Sequence, residues 1–403
     1  MRRLRLRLTI TKVALIGIVL ILLLSFIMGA VMSGLRNSEV VRNTYRSNHK
    51  AFTVGASACN EGGGTGDNVA VAGMVTDDFM MDSVVTSGGI LSEALMTSAK
   101  AMATVELTTG RVLYEKNAYQ RLPMASTTKI LTAITVLEHV SCTSEIVKVD
   151  DRAIGIEGTS IYLQKGEELT VKELLYGMML RSGNDASNAL ALHVSKSIDD
   201  FAFLMNFTAR KAGAKDSNFK NPHGLDEKDH YTTAYDLAQI SAYAMRNHEF
   251  AEIVATKDVK ISGKDYPRSI QNKNRLLRSN EDVIGIKTGF TSKAGRCFVG
   301  AMDEGGMTVI NVVLNCGPMF PESEQMMERA GDEFFMHKIL DKEKVIRHGK
   351  FAGMVAEDFA FPLRKGEIDK VRIEMDKENV FVFFGEKLIG TVEYETRSFE
   401  AVV

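Results

Sequence analysis

The 403-residue sequence predicts an α+β protein: an antiparallel sheet flanked by helices, a small all-β module after it, and an N-terminal transmembrane helix in front. Three observations carry that expectation. Strand-like runs open and close the segment from Ala101 to about Leu340 while its middle has helical periodicity, an order that favours an antiparallel sheet over a βαβ array. Short strand-like runs separated by turn residues follow after Glu343. Val13 to Leu35 is an uncharged run of 23 residues, which as a helix spans roughly 35 Å, enough for a bilayer.

Arg2, Arg3, Arg5, Arg7, Lys12 and Arg36 lie at or near the ends of that run, with no acid among the first 38 residues. Such a basic start stays cytoplasmic, so everything after about residue 36 is expected outside. Residues 1–35 read as a retained membrane anchor, with a cleaved signal as the alternative because Gly29 and Ala30 offer a peptidase small residues. The rest of the chain holds 43 Lys and Arg against 51 Asp and Glu, too even a balance for a nucleic-acid partner held by bulk charge. Residues 36–98 have no sustained period and contain Gly62-Gly63-Gly64-Thr65-Gly66 and Ser87-Gly88-Gly89, which predicts a flexible Gly-rich linker.

The main folded unit is expected over residues 99–342. Ala101–Leu107 and Arg111–Tyr114 read as a hairpin around Thr108-Thr109-Gly110. Helical patterns follow at Ser126–His139, at Thr170–Leu180 with a Thr170/Glu173 capping box, at Asp185–Val194 and finally at Ser323–Leu340. Strands are expected at Ile284–Phe290, Gly295–Met302 and Met307–Leu314. A turn symmetric about Asp303–Gly306 would set Cys297 opposite about Val312, so no disulfide to Cys316 is expected. Residues 343–403 form the β-rich module, with runs at Lys370–Met375, Asn379–Phe384 and Lys387–Tyr394.

Three short motifs occur in the main unit. Ser126-Thr127-Thr128-Lys129 opens a helical pattern, and i,i+3 spacing puts hydroxyl and amine on one helical face. A serine becomes a nucleophile when a neighbouring base takes its proton, and a lysine serves only if its pKa is depressed. Ser182-Gly183-Asn184 follows a helix, and by itself reads as a helix stop and cap. Lys287-Thr288-Gly289 lies in a strand, where glycine makes sense if something must approach the backbone and the neighbours offer a cation and a hydroxyl to an anion.

Taken in this order, the three are the signature shared by penicillin-binding proteins and class A β-lactamases. Leu122–Lys129, Gly166–Leu175, Asn221–Leu225, Tyr231–Ala238 and Lys287–Thr291 resemble the serine-type D-alanyl-D-alanine carboxypeptidases, the low-molecular-mass penicillin-binding proteins, over roughly Ala101 to Leu340. The resemblance implies a penicillin-binding, β-lactamase-like transpeptidase fold and an extracytoplasmic enzyme of cell-wall biogenesis. It acts on peptidoglycan stem peptides ending in D-Ala-D-Ala, is trapped by β-lactams, and uses neither cofactor nor metal. Ser126 is then the nucleophile, Lys129 its proton acceptor, Ser182 with Lys287 the proton relay to the leaving amine, and Asn184 a holder of substrate and Lys129. Gly289 lies in the substrate-binding strand, the backbone N–H groups of Ser126 and Phe290 form the oxyanion site, and Thr288 and Thr291 face the terminal carboxylate. Family members often carry an arginine just before the last helix for that carboxylate, and the sequence has Met319 there.

Alternatives on the same fold are a serine β-lactamase, disfavoured because no Glu-x-x-x-Asn stretch lies between Asn184 and Lys287, and a peptidoglycan endopeptidase. A non-catalytic wall-binding protein would keep the fold without the intact motifs. A metallopeptidase built on His223, Asp226, Asp229 and His230 lacks the H-E-x-x-H spacing.

Overall fold

A computed structural model describes residues 97–263, 266–304, 306–349 and 351–395; the expected anchor and most of the expected linker lie outside them. Among the described residues no helix is long and apolar enough to cross a membrane. The chain begins with β1 (Ala101–Glu106) and β2 (Val112–Lys116), a 3-10 turn at Ala125–Thr128 and α1 (Lys129–Leu137). Next come β3 (Ile146–Lys148), β4 (Glu168–Thr170), α2 (Val171–Leu180), α3 (Asn184–Val194), α4 (Ile198–Lys211), α5 (Ala234–Met245) and α6 (His248–Ala255). Then β5 (Asp258–Ile261), β6 (Arg268–Gln271), α7 (Leu276–Ser279), β7 (Val283–Thr291), β8 (Gly295–Glu304), β9 (Met307–Leu314) and α8 (Met319–Glu333) complete the main unit.

The two ends of this segment meet in one five-stranded sheet of order β2-β1-β9-β8-β7, antiparallel throughout. Alternate side chains of a strand face opposite ways. On one face Ala101, Ala103, Val299, Ala301, Ile310 and Val312 join the larger core with the helices; on the other, Met102, Phe298, Met302, Val309 and Val313 pack on Met326, Met327 and Ala330 of α8. Covered on both sides, β1 is apolar along most of its length, where a one-sided sheet would alternate. Every residue of α1 is buried, including Lys129, its one charged residue. The expected capping box of α2 is present: Thr170 Oγ1 accepts from Glu173 N at 3.1 Å and Glu173 Oε2 accepts from Thr170 N at 2.9 Å.

Two expectations need correction. The last helix runs from Met319 to Glu333, and Phe334–Leu340 is a strand, β10. Phe334 is buried while Phe335 is exposed, the alternation of a ladder, and the partner is β13 (Phe359–Arg364) in the following module. The β8–β9 hairpin is also tighter than expected. Glu304 pairs with Met307, leaving two residues in the loop, so Phe298 faces Val313 and the register puts Cys297 two positions beyond Val312. Cys297 and Cys316, both buried, are free thiols, so no bond joins them.

After β10 come β11 (Val345–His348), β12 (Phe351–Val355), β13, β14 (Val371–Met375), β15 (Asn379–Phe384) and β16 (Lys387–Glu395). Apart from β13, which pairs with β10, these strands form one sheet of order β11-β12-β16-β15-β14, and the module's core gathers Leu340, Val355, Val380, Val382 and Val392. Arg111, beside β2, joins the two parts. Its guanidinium donates to the Pro362 carbonyl and, at 2.8 Å, to Glu367, while lying 4.6 Å from the Phe384 ring centroid and 5.1 Å from that of Phe361.

Candidate active site

The 3-10 turn at Ala125–Thr128 carries Ser126 to the head of α1, where Lys129 Nζ comes back to it. Three contacts fix that nitrogen: to Ser126 Oγ at 3.1 Å, to Asn184 Oδ1 at 2.7 Å and to the His223 carbonyl at 2.6 Å. Asn184 opens α3 and is itself held, its Nδ2 donating to the Glu157 carbonyl at 2.5 Å and its backbone N–H to Thr159 O at 2.7 Å. On the sheet side β7 presses directly on the turn. A Cβ on Gly289 would lie 3.0 Å from Met124 O and 3.1 Å from the backbone nitrogens of Ser126 and Thr127, so this strand position admits only hydrogen without movement. Ala125 at φ 50° and Ser182 at φ 70° hold left-handed backbone without being glycine, a cost of about 1–3 kcal/mol each that surrounding structure must offset.

The electrostatics follow from burial. Desolvation, with the nearby cations Lys287 and Lys273, pushes the Lys129 amine well below the ordinary lysine value. Lys287 is brought down to about 7, again by desolvation first and then by Lys273. Its Nζ donates to the Thr288 carbonyl at 3.0 Å. The His223 ring, buried and close to Lys129, is pushed down to about 3, so it stays neutral and what it offers the site is its carbonyl.

Ser126, Lys129 and Asn184 are thus joined by direct hydrogen bonds, and Gly289 by contact. Ser182 is buried two residues before Asn184, and Lys287 reaches the same chamber electrostatically, through its effect on Lys129. Thr288 is half-buried and Phe290 is 66% exposed. Thr291 is already engaged: its Oγ1 donates to Asp226 Oδ1 at 3.0 Å and accepts from Ala294 N at 3.0 Å.

Three supporting residues escaped sequence reasoning. Asp185 accepts from the backbone N–H groups of Ile161 and Leu163 and from Ser160 Oγ, fixing the loop that holds Asn184. Lys273 lowers both active-site lysines. Gly224, at φ 85°, passes so close to the Ala125 carbonyl that any side chain would collide with it. His230, weighed as a metal ligand, instead pairs its Nε2 with Thr128 Oγ1 at 3.0 Å and accepts from Lys220 N through Nδ1.

The chain matches the model of the D-alanyl-D-alanine carboxypeptidase family over residues 90–317. It is 32% identical over 282 residues to the D-alanyl-D-alanine carboxypeptidase DacF of Bacillus subtilis, an overlap of 68% of this chain and 72% of that protein. A Streptomyces D-alanyl-D-alanine carboxypeptidase is 32% identical over 261 residues, 58% of this chain and 90% of that one. Among solved structures, penicillin binding protein 5 from Haemophilus influenzae superposes with a TM-score of 0.65 at 26% identity, covering 75% of this chain and 99% of that chain.

A two-faced antiparallel sheet pressing a glycine strand onto a serine turn is the fold shared by penicillin-binding proteins and β-lactamases, and the comparisons place this chain among the serine hydrolases built on it. Within that class the chain belongs to the D-alanyl-D-alanine carboxypeptidase family and is a serine-type carboxypeptidase of cell-wall biogenesis.

Proposed function

We propose that the enzyme removes the terminal D-alanine from peptidoglycan stem pentapeptides through an acyl-enzyme on Ser126. The neutral Lys129 amine takes the Ser126 proton as Oγ bonds to the penultimate carbonyl carbon. The oxyanion is held by the backbone N–H groups of Ser126 and Phe290, worth on the order of 3 kcal/mol per donor. As the peptide bond breaks, the proton that Lys129 took from Ser126 moves through the Ser182 hydroxyl, which gives up its own proton and regains that one, to the departing amine, with Lys287 in support, so Lys129 is neutral again. Water, activated in turn by Lys129, then hydrolyses the ester and restores Ser126. Asn184 keeps Lys129 aimed and receives the substrate backbone, while Thr288 is offered to the terminal carboxylate; Thr291, first assigned there, gives its hydrogen to Asp226. A β-lactam presents the same acyl donor.

The observation that supports this reading most is the 3.1 Å contact between Ser126 Oγ and a buried amine whose pKa is depressed, the condition a lysine base must meet. Fluorescent penicillin should acylate the protein at one residue and leave Ser126→Ala unlabelled with its thermal unfolding nearly unchanged. Labelling that survives Ser126→Ala sinks the assignment.

The same reading gives residues 1–35 as a membrane anchor, 36–98 as a spacer, 99–342 as the extracytoplasmic catalytic domain and 343–403 as an accessory β domain. The basic, then apolar, N-terminus supports this. Full-length protein should sediment with membranes, and a mature N-terminus near Val31 would point to a cleaved signal instead.

A further inference from the structure

A substrate that ends in a carboxylate calls for a cation in the pocket of the departing residue, and the groups first assigned there have other commitments. This argument rests on the reading above. Lys287 is 1% exposed, gives its ammonium to the Thr288 carbonyl, and at about 7 carries only part of its charge at neutral pH. A hydroxyl has one hydrogen, and that of Thr291 goes to the Asp226 carboxylate. Met319, at the start of α8, packs with Phe320 against the apolar cluster under the sheet.

Arg296 is placed differently. It is exposed on β8, directly opposite Phe290 of β7, which is an edge strand of the sheet. The period of two puts Arg296, Phe290 and Thr288 on one face, with Thr288 the diagonal neighbour of Arg296. Its Nη1 donates to the Gly317 carbonyl at 3.1 Å, two residues before Met319. The guanidinium therefore sits beside the segment that leads into α8, although it arrives from another strand. That bond uses one of five N–H groups and steadies the head while others remain to fork onto an anion.

We infer that Arg296 is the specificity-determining cation of this enzyme: its guanidinium receives the carboxylate of the terminal D-alanine beside the Thr288 hydroxyl, in place of an arginine ahead of α8. The exposed Lys293, in the turn between β7 and β8, serves as a control because it is a cation nearby without that anchor.

The test uses the detergent-solubilised full-length protein and two acylated peptides that differ only at their ends, D-Ala-D-Ala carboxylate and D-Ala-D-Ala carboxamide. Arg296→Ala should raise KM for the carboxylate peptide about ten- to a hundredfold, with kcat changing less, and leave the constants for the carboxamide peptide near wild type. Arg296→Lys should fall between, since a point charge replaces a fork, and Lys293→Ala should match wild type. An unchanged KM for the carboxylate peptide in Arg296→Ala overturns the inference, and so does an equal loss on both peptides. Saturating fluorescent penicillin separates this from the underlying reading. Intact labelling with an unchanged KM defeats the arginine alone, whereas absence of labelling in wild type defeats the Ser126 reading and the arginine with it.

Discussion

At the scale of single residues, the two active-site lysines make the chemistry depend on pH in opposite directions. Lys129 must be neutral to take a proton, so acylation should rise with pH through its depressed value. Lys287 supports proton delivery while charged, so activity should fall again as pH passes about 7, the pair giving a bell of two macroscopic values. Lys287→Arg keeps its proton and should shift the falling limb to higher pH; a limb that stays in place means another group sets it. Lys129 also leaves a mark on stability. Its folded-state value lies below its unfolded one, so between the two the unfolded chain binds a proton that the native protein does not, and stability rises with pH across that window. Lys129→Met orphans Asn184 Oδ1 and the His223 carbonyl, which shifts its stability at every pH, yet it removes the titration. The difference in Tm between wild type and Lys129→Met should therefore move in favour of wild type from pH 7 to pH 9, as a thermal melt series would show.

At the scale of elements, β7 and the serine turn work as a matched pair. Gly289→Ala adds a methyl 3.0–3.1 Å from three backbone atoms of the turn, forcing strand and nucleophile apart by a few tenths of an ångström. Penicillin acylation should drop on the order of a hundredfold, because oxyanion donors and nucleophile lose register, while thermal stability changes little. Wild-type acylation in Gly289→Ala would show that the strand has slack. Much of this arrangement was legible in the sequence where its cause is local: the Thr170/Glu173 box, the strands either side of the helical middle, and the Ser126–Lys129 spacing. What escaped depends on distant partners. Phe334–Leu340 is a strand because β13 lies alongside it, and the hairpin register depends on a loop of two residues where the sequence offers four turn formers in a row. Lys273 matters to Lys129 only through folded proximity, which no spacing announces. Arg296 shows no motif at all; its interest comes from the Gly317 carbonyl that its side chain meets.

At the scale of the whole molecule, the β module is bonded to the main unit through Arg111 and its neighbours. Arg111→Ala leaves the carboxylate of Glu367, whose side chain is 13% exposed, without its guanidinium partner and removes a cation from between aromatic rings. Glu367 keeps Lys370 at 3.5 Å and the Arg364 N–H, so the loss falls below the roughly 3–5 kcal/mol of a fully buried pair broken from one side. Thermal unfolding should split into two transitions, the module melting first, with penicillin labelling retained at temperatures between them. A single transition at the wild-type Tm would mean that the two parts are held together elsewhere.

The central sheet takes β1 and β2 from the start of the unit and β7 to β9 from its end, with Ala101 paired to Leu314 across more than 200 intervening residues. This imposes an order in time. While the chain emerges N-terminus first, β1 has its hairpin partner and nothing on its other edge, and the helices that follow have half a sheet to rest on. Ser126, near the front of the unit, meets the glycine that backs it only after β7 has arrived, so the nucleophile exists as a side chain long before it exists as a reagent. A chain halted anywhere before Gly289 is thus silent towards both peptide and antibiotic, and the reactive hydroxyl is armed only once nearly the whole catalytic segment is present.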